Sequence, residues 1–408
     1  MAREFESFVD GFVEFTENLP SSALWRKWAA VGTISGILER KVYTFTLNSN
    51  LYPNQFIWLI GPPGVGKTVL TSVVTLLWRA VGDINVAPSN ASSASFLDAL
   101  RAKEKRIIQM NNPAMPFPES YHAIAASINE LGVLINQYDN ELIATLTDLY
   151  DGKEYSERKR GIKLEYTLTA PCVNMIACGT PSFLGDLLPD GAWTQGMMSR
   201  VSIIYSGISR RPPLFGGAET NKKMFEKLKR DAKEINKIMG EMKFEPEAMS
   251  ALSAWYDAGG PPIPDHPKLE SYNIRRTAKL LKLCMVACAA SSDRPFITTE
   301  HYQTALGWLI ESEKFMPEVF KAMTSGGQTE IVKELWFAAY NYYVKHKEGM
   351  PENLVYEHLS RRLPLQQIKP LMEGLLQAKV FEAKLDPLRD IKLWKPKAKG
   401  APTADKKE

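Results

Sequence analysis

The 408-residue chain is poor in cysteine and histidine, has no long apolar run and carries almost no net charge. Its four cysteines fall as Cys172 with Cys178 and Cys284 with Cys288, six and four residues apart, so neither pair makes a C-x-x-C redox or metal motif. Five scattered histidines add no ligand cluster, which argues against a structural zinc site and leaves the cysteines as reduced, buried thiols. No stretch reaches the roughly 18 uninterrupted apolar residues that a membrane span requires. The run Met1-Ala2-Arg3-Glu4-Phe5-Glu6 is polar and acidic where a signal peptide would be basic and then apolar, so the expectation is a cytoplasmic protein without a membrane partner. A formal charge of +4 is too small to mark nucleic-acid binding, and only local clusters of basic residues bear on that question. What is present is 45% hydrophobic and 24% charged residues, enough for a soluble globular chain of two or three domains.

The most specific feature is Gly61-Pro62-Pro63-Gly64-Val65-Gly66-Lys67-Thr68, which fits the P-loop pattern G-x-x-x-x-G-K-[ST]. It sits between the apolar run 56–60 and a helical pattern that starts at Val69. Glycine is needed because the loop must wrap backbone N–H groups around phosphates, and a side chain would block that approach. Lys67 supplies a point charge to the β and γ phosphates, and the Thr68 hydroxyl becomes a Mg²⁺ ligand at a helix N-terminus whose dipole favours anions. ATP and Mg²⁺ are the implied ligands.

Before the P-loop, Phe5, Phe8, Phe12, Phe15 and Leu19 recur at helical spacing, and Ser21 or Ser22 is placed to cap a second helix, giving a helical prefix over 1–50. After a β-like run at 42–47, further runs at 56–60, 84–87, 123–128, 173–178 and 201–205 alternate with helical patterns, the signature of a mainly parallel α/β sheet with helices on both faces. The Pro/Gly-rich joint at 207–218 closes a core over 51–210 and opens a helical domain over 211–325, with helices expected at 220–240, 246–257, 270–292 and 299–322. Residues 326–397 read as helices at 329–346, 351–362 and 365–378, followed by a hairpin at 380–384 and 390–394, an order that suggests a winged helix. The basic tail 398–408 has no apolar face and is expected to be disordered.

A P-loop holds phosphate but needs an acid from a second strand to organise Mg²⁺ and another to orient water. The run Ala123-Ile124-Ala125-Ala126-Ser127-Ile128-Asn129-Glu130 ends in such a pair. Here the chain resembles the AAA+ class of P-loop ATPases, whose second motif is an apolar strand ending in Asp-Glu. The resemblance implies an AAA+ core with a helical lid over roughly 50–325, Asn129 in the metal-organising position and Glu130 in the catalytic one. Asn is a departure, since it accepts from a metal-bound water without contributing charge. The same resemblance places Thr180, after the 173–178 run, as a polar sensor of the γ-phosphate or attacking water. It places Arg200 as an arginine finger reaching a neighbouring subunit, hence a ring or filament, and Arg275 or Arg276 as a second sensor on the lid.

Between the second and third strands lies a basic, Gly-bounded segment with Lys153, Tyr155, Arg158, Lys159 and Arg160, flanked by alternating Ile162, Leu164, Tyr166 and Leu168. This reads as a β-hairpin. Its place resembles the channel hairpin of superfamily 3 and minichromosome-maintenance helicases. The four basic side chains would then grip the backbone of single-stranded DNA in a central pore, with Tyr155 stacking on a base. The winged helix would contact DNA or a replication partner protein. The implied activity is a hexameric ATP-dependent DNA helicase or translocase of phage or mobile-element replication. A helicase loader, replication initiator or transposition regulator is the alternative, and a protein-remodelling ATPase a third.

Overall fold

The structure is a computed structural model and describes residues 3–46, 49–88, 92–109, 117–135, 139–159, 164–188, 196–212, 218–363, 365–387 and 389–397. It is a mixed α/β protein that divides into two compact units, Met1–Phe320 and Lys321–Glu408.

Ser7 caps the helix Phe8–Phe15 and Ser22 caps Ala23–Leu38, each hydroxyl accepting a backbone N–H of the first turn. The second helix has 14 of its 16 residues buried, the pattern of a helix enclosed on all sides. Small residues permit that position. A Cβ on Gly32 would lie 2.4 Å from Ile176 Cδ1, and one on Gly36 would lie 2.5 Å from the Trp78 indole nitrogen. The prefix therefore shares one core with the sheet and the later helices: Phe8, Phe12, Trp25 and Trp28 cluster with Ile57, Leu77, Cys284 and Met285. The boundaries drawn near 50 and 210 from sequence fall inside this single unit.

The central sheet has five strands in the order Glu104–Gln109, Phe117–Ile128, Pro171–Gly179, Phe56–Ile60 and Val201–Tyr205. The last four run parallel, with Phe56 opposite both Met175 and Val201, and Ala125 opposite Asn174. Every residue of Phe56–Ile60 and of Pro171–Gly179 is buried, as expected where helices cover both faces. The run at 84–87 makes only one parallel bridge, Val86 with Ala125, and the outer strand Glu104–Gln109 is antiparallel to its neighbour.

In the helical part of this unit, helices run Ala218–Ile235, Pro246–Asp257, Glu270–Ile274, Arg276–Ser291 and Thr299–Glu313. Two short parallel pairings add to this part: Val42 and Tyr43 with Gly240 and Glu241, which joins it to the N-terminal region, and Lys243 and Phe244 with Phe296 and Ile297 within it.

The second unit takes Leu335, Trp336 and Ala339 from the helix Met316–His346 into a core with helices Glu352–Ser360 and Leu365–Gln377 and strands Phe381–Asp386 and Ile391–Pro396. The separate helix expected at 329–346 is thus part of a longer one. The two strands pair antiparallel, Phe381 opposite Pro396 and Asp386 opposite Ile391. The tail 398–408 lies outside the described residues. Among the described residues no helix is long and apolar enough to cross a membrane.

Candidate active site

The P-loop leaves the carboxyl end of Phe56–Ile60 and enters the helix Lys67–Val81. Gly64 (φ 77°) and Gly66 (φ 79°) hold the left-handed backbone that the turn requires. Gly61 is fixed by crowding: a Cβ there would lie 2.4 Å from the Ser206 carbonyl oxygen and 2.5 Å from the Trp25 ring. The N-terminal segment braces the other side, where the Ser21 hydroxyl donates to the Gly66 carbonyl at 2.9 Å and Pro20 abuts Gly66.

Lys67 is buried, with Nζ 2.6 Å from the carbonyl oxygens of both Gly61 and Pro62 and 5.5 Å from the Trp25 ring centroid. Burial lowers its pKa, with Cys178 and Glu130 acting in the opposite direction. Thr68 and Val69 are exposed at the helix start.

A cavity of about 500 Å³ opens over this loop, within the size range of small-ligand sites. Its walls bring together residues 63–69, Asn129, Glu130 and Thr180, with Pro20, Leu131, Cys178, Gly179 and Phe183. The strand order accounts for this convergence, because Pro171–Gly179 lies between the P-loop strand and Phe117–Ile128. All three end at the same edge of the sheet. Asn129 Oδ1 is 2.9 Å from the Thr71 hydroxyl, which anchors it to the P-loop helix. Glu130 is exposed and precedes the short helix Leu131–Leu134 without capping it through its side chain. Thr180 caps the helix Pro181–Leu187, its hydroxyl accepting the Phe183 N–H at 3.3 Å. The turn role and the cavity position coexist in one residue.

These groups fit a Mg²⁺–nucleotide. An exposed hydroxyl and an exposed carboxylate face one space, and a cation that keeps most of its waters needs only one or two protein oxygens. Phosphate oxygens would meet the open side of Gly64, where a Cβ has nothing within 4 Å.

The remaining candidate residues lie elsewhere. Arg200 precedes Val201–Tyr205, which runs parallel to Phe56–Ile60, so it sits at the opposite end of the sheet from the loop, five residues or about 16 Å away. Its buried guanidinium donates through Nε and Nη2 to the two Asp151 oxygens at 3.0 and 2.5 Å, and through Nη1 to the Gly196 carbonyl at 2.5 Å. Arg275 Nη1 reaches the same carboxylate at 3.4 Å. Burial works to raise the Asp151 carboxyl, but the hydrogen bond and charge of Arg200, with Arg275 and Lys282, bring it below its ordinary value.

Two buried lysines on the helix Arg276–Ser291 support this corner. Lys279 donates to the Arg200 carbonyl at 2.8 Å, and Lys282 to Asn54 Oδ1 at 2.7 Å while lying 3.9 Å from the Tyr150 ring centroid. Burial pushes Lys282 down to about 7.

Arg276 is different. It is locked in a buried pair with Glu313, at 2.7 Å through Nε and again through Nη2, and donates to the carbonyls of Gly260 and Pro262. That is a structural clasp. Of these two adjacent arginines only Arg275 is partly exposed, and neither lines the P-loop cavity.

The basic segment contains an antiparallel hairpin, Tyr155–Lys159 with Leu164–Leu168. Lys153 is exposed, and the Tyr155 hydroxyl is 3.3 Å from that of Thr145. Arg158 and Lys159 belong to the first strand, whereas Arg160 lies outside the described residues.

No protein-family model matches this sequence, and no curated protein matches it significantly. The site therefore stands on its own chemistry. Sequence reasoning passed over Asp151, the carboxylate that holds Arg200, and the Pro20–Ser21 brace. Asp151 opens the basic run and was visible only as one acid among lysines and arginines, and its partner is 49 positions away.

Proposed function

We propose that the chain is a P-loop ATPase of the AAA+ type that acts as a homo-oligomer, with ATP turnover coupled to movement on DNA. One observation supports the ATPase and oligomer parts of this reading: the P-loop, the Asn129-Glu130 pair and Thr180 face a single cavity, while Arg200 stands at the far end of the same sheet.

On this reading the open amides of the loop and the amino end of the Lys67–Val81 helix receive the phosphates, and Lys67 exchanges its two carbonyl partners for phosphate oxygens. Mg²⁺ would be held by the Thr68 hydroxyl, and through water by Asn129 and Glu130, and would neutralise phosphate charge. Glu130 orients the attacking water, which suits an exposed carboxylate at a strand end. Thr180 contacts the γ-phosphate or that water.

Arg200 is too far from its own cavity to act there, so its target is the nucleotide of a neighbouring copy, for which it must first exchange Asp151. Arg275 shares that edge and would act from the same side. The hairpin that grips DNA begins four residues after Asp151, which ties DNA engagement to the same carboxylate. The C-terminal unit is read as a winged helix that serves a partner.

A second reading, ATP as an assembly switch in a loader, initiator or transposition regulator, is favoured by Arg200 being neutralised within its own protomer. Strand displacement on a forked duplex, run beside ATPase turnover with and without single-stranded DNA, separates the two. ATP-dependent unwinding lost in Lys159→Ala/Arg160→Ala is expected of the helicase. DNA-stimulated turnover without unwinding would select the switch, and turnover indifferent to DNA would refute both.

A further inference from the structure

The C-terminal unit carries a second concavity, of about 920 Å³, formed within residues 352–394 by its two helices and its hairpin. Met372, Leu376 and Trp394 floor it, and all three border the unit's own core. Leu365 and Leu385 stand at its margins with 68% and 59% of their surface exposed, large apolar side chains that the fold leaves in water.

Its charge runs against that of the surrounding chain. Residues 321–397 contain 13 Lys and Arg against nine Asp and Glu, yet the groove is lined by Glu352, Glu357, Glu373 and Asp390 against only Lys369 and Lys392. Lys392 lies 4.0 Å from Glu352, and Arg361 pairs with Glu357, both pairs well exposed. Glu373 and Asp390 enter no ion pair among the described residues. An apolar floor with a net acidic rim disfavours a phosphate backbone, which needs cations at regular spacing.

We infer that this groove is a protein-docking site whose occupant is a cationic amphipathic helix of a different protein. The apolar stripe of such a helix would cover Leu365, Leu385 and the floor, and its Lys or Arg flank would meet Glu373 and Asp390. Two to three helical turns, about 11–16 Å, match a concavity of this size. The chain's own basic tail does not fill the role, because 398–408 contains no Leu, Ile, Val, Met or aromatic residue to place on the floor. A second copy is also a poor source. The chain's cationic amphipathic helix, Ala218–Ile235, buries Leu228, Ala232 and Ile235 in the first unit's core. The inference does not depend on the ATPase reading.

The test is fluorescence anisotropy with the full chain and four labelled probes. These are a 14-residue Leu/Lys peptide patterned as an amphipathic helix, the same composition scrambled to abolish the stripe, a patterned Leu/Glu peptide, and a short DNA duplex. The patterned Leu/Lys peptide is expected to bind saturably and at least about tenfold more tightly than the other three. Glu373→Lys/Asp390→Lys and Leu365→Ser/Leu385→Ser, all exposed positions that leave the core intact, should each weaken it about tenfold without changing ATP turnover. Equal binding of the scrambled peptide, or affinity unchanged in both double variants, overturns the inference. Duplex binding as tight as that of the patterned Leu/Lys peptide would overturn it in favour of a nucleic-acid surface.

Discussion

Replacing Asp151 by Asn keeps its volume and one acceptor oxygen but removes the charge that faces Arg200. The Arg200 side chain is 7% exposed and the Asp151 side chain 30% exposed, so the pair is half-sheltered. Stripping one partner from a fully buried pair costs about 3–5 kcal/mol. Solvent screening at Asp151, the retained acceptor and the Gly196 carbonyl reduce this to roughly 2 kcal/mol. Because the chain has two compact units, the loss should be read from the transition that reports the first, by thermal or urea denaturation. In a cycle with Arg200→Met, the double variant should be about as stable as Arg200→Met alone, since the acid's main partner is gone and only the partly exposed Arg275, at 3.4 Å, is left to it. Additive effects would show that the two side chains do not depend on each other and would refute the argument. Turnover should move the other way. If Arg200 must give up a restraint of about 1–2 kcal/mol before serving a neighbour, relaxing it raises the available population roughly 5–30-fold. Asp151→Asn should therefore hydrolyse faster at high protein concentration while melting earlier, and turnover falling in step with stability would count against an inter-subunit role.

Lys67→Ala should abolish nucleotide affinity measured by fluorescent-nucleotide titration, while Glu130→Gln retains it and loses turnover by about 10²–10⁴; wild-type turnover in the latter would remove Glu130 from the mechanism. Arg276→Met should destabilise the first unit by about 3–5 kcal/mol, because it strands Glu313 in the core, whereas Arg275→Ala should cost little stability and lower only turnover; equal melting temperatures for the two would contradict the division of roles. Stability should also depend on pH in two opposed ways. Burial brings Lys282 down to about 7 and Lys41 to about 8, so from there up to 10.5 the unfolded chain holds more protons than the native one, and stability rises with pH by up to about 1.4 kcal/mol per lysine per unit. Cys172, Cys178 and Cys288, pushed up to about 12 by burial, and Cys284, also raised, keep protons that the unfolded chain loses above 9, so stability falls there. Thermal scans should give a maximum near pH 9, and a steady decline from pH 7 would argue against the buried ammonium groups.

Local chemistry was legible in the sequence and long-range partnership was not. The P-loop, the parallel strands and most helices announce themselves through glycine spacing and apolar periodicity, which are properties of neighbouring residues. The strand Glu104–Gln109 did not, because Glu104, Lys105 and Arg106 give an edge strand the look of a solvated connection. Phe8 and Phe12 marked an amphipathic helix, but nothing in their spacing said that it would join the core shared by Ile57 and Cys284. Arg275 and Arg276 were indistinguishable as adjacent arginines at a helix start. What separates them is Glu313, 37 positions beyond Arg276, and Asp151, 124 before Arg275. The long helix Met316–His346 contains Gly326 and Gly327, a pair that reads as a break when local propensity is the only guide.

The anchoring of the N-terminal segment has a consequence for biosynthesis. Arg3 donates to the carbonyls of Ala289 and Ser292 and pairs with Asp293, while the backbone N–H groups of Glu4 and Phe5 donate to the Asp231 carboxylate. Arg3 thus finds its partners only after 286–290 more residues have been added, and Glu4 and Phe5 theirs after 226–227. At about 5–20 residues per second the longer of these is a wait of roughly 15–60 s. Throughout it the apolar helix Ala23–Leu38 has no finished core to enter, and the loop brace at Pro20 and Ser21 is not yet seated. The nascent chain should consequently be a client of holding chaperones until the helix Arg276–Ser291 emerges, and ribosome-bound chains truncated before that point should not retain nucleotide.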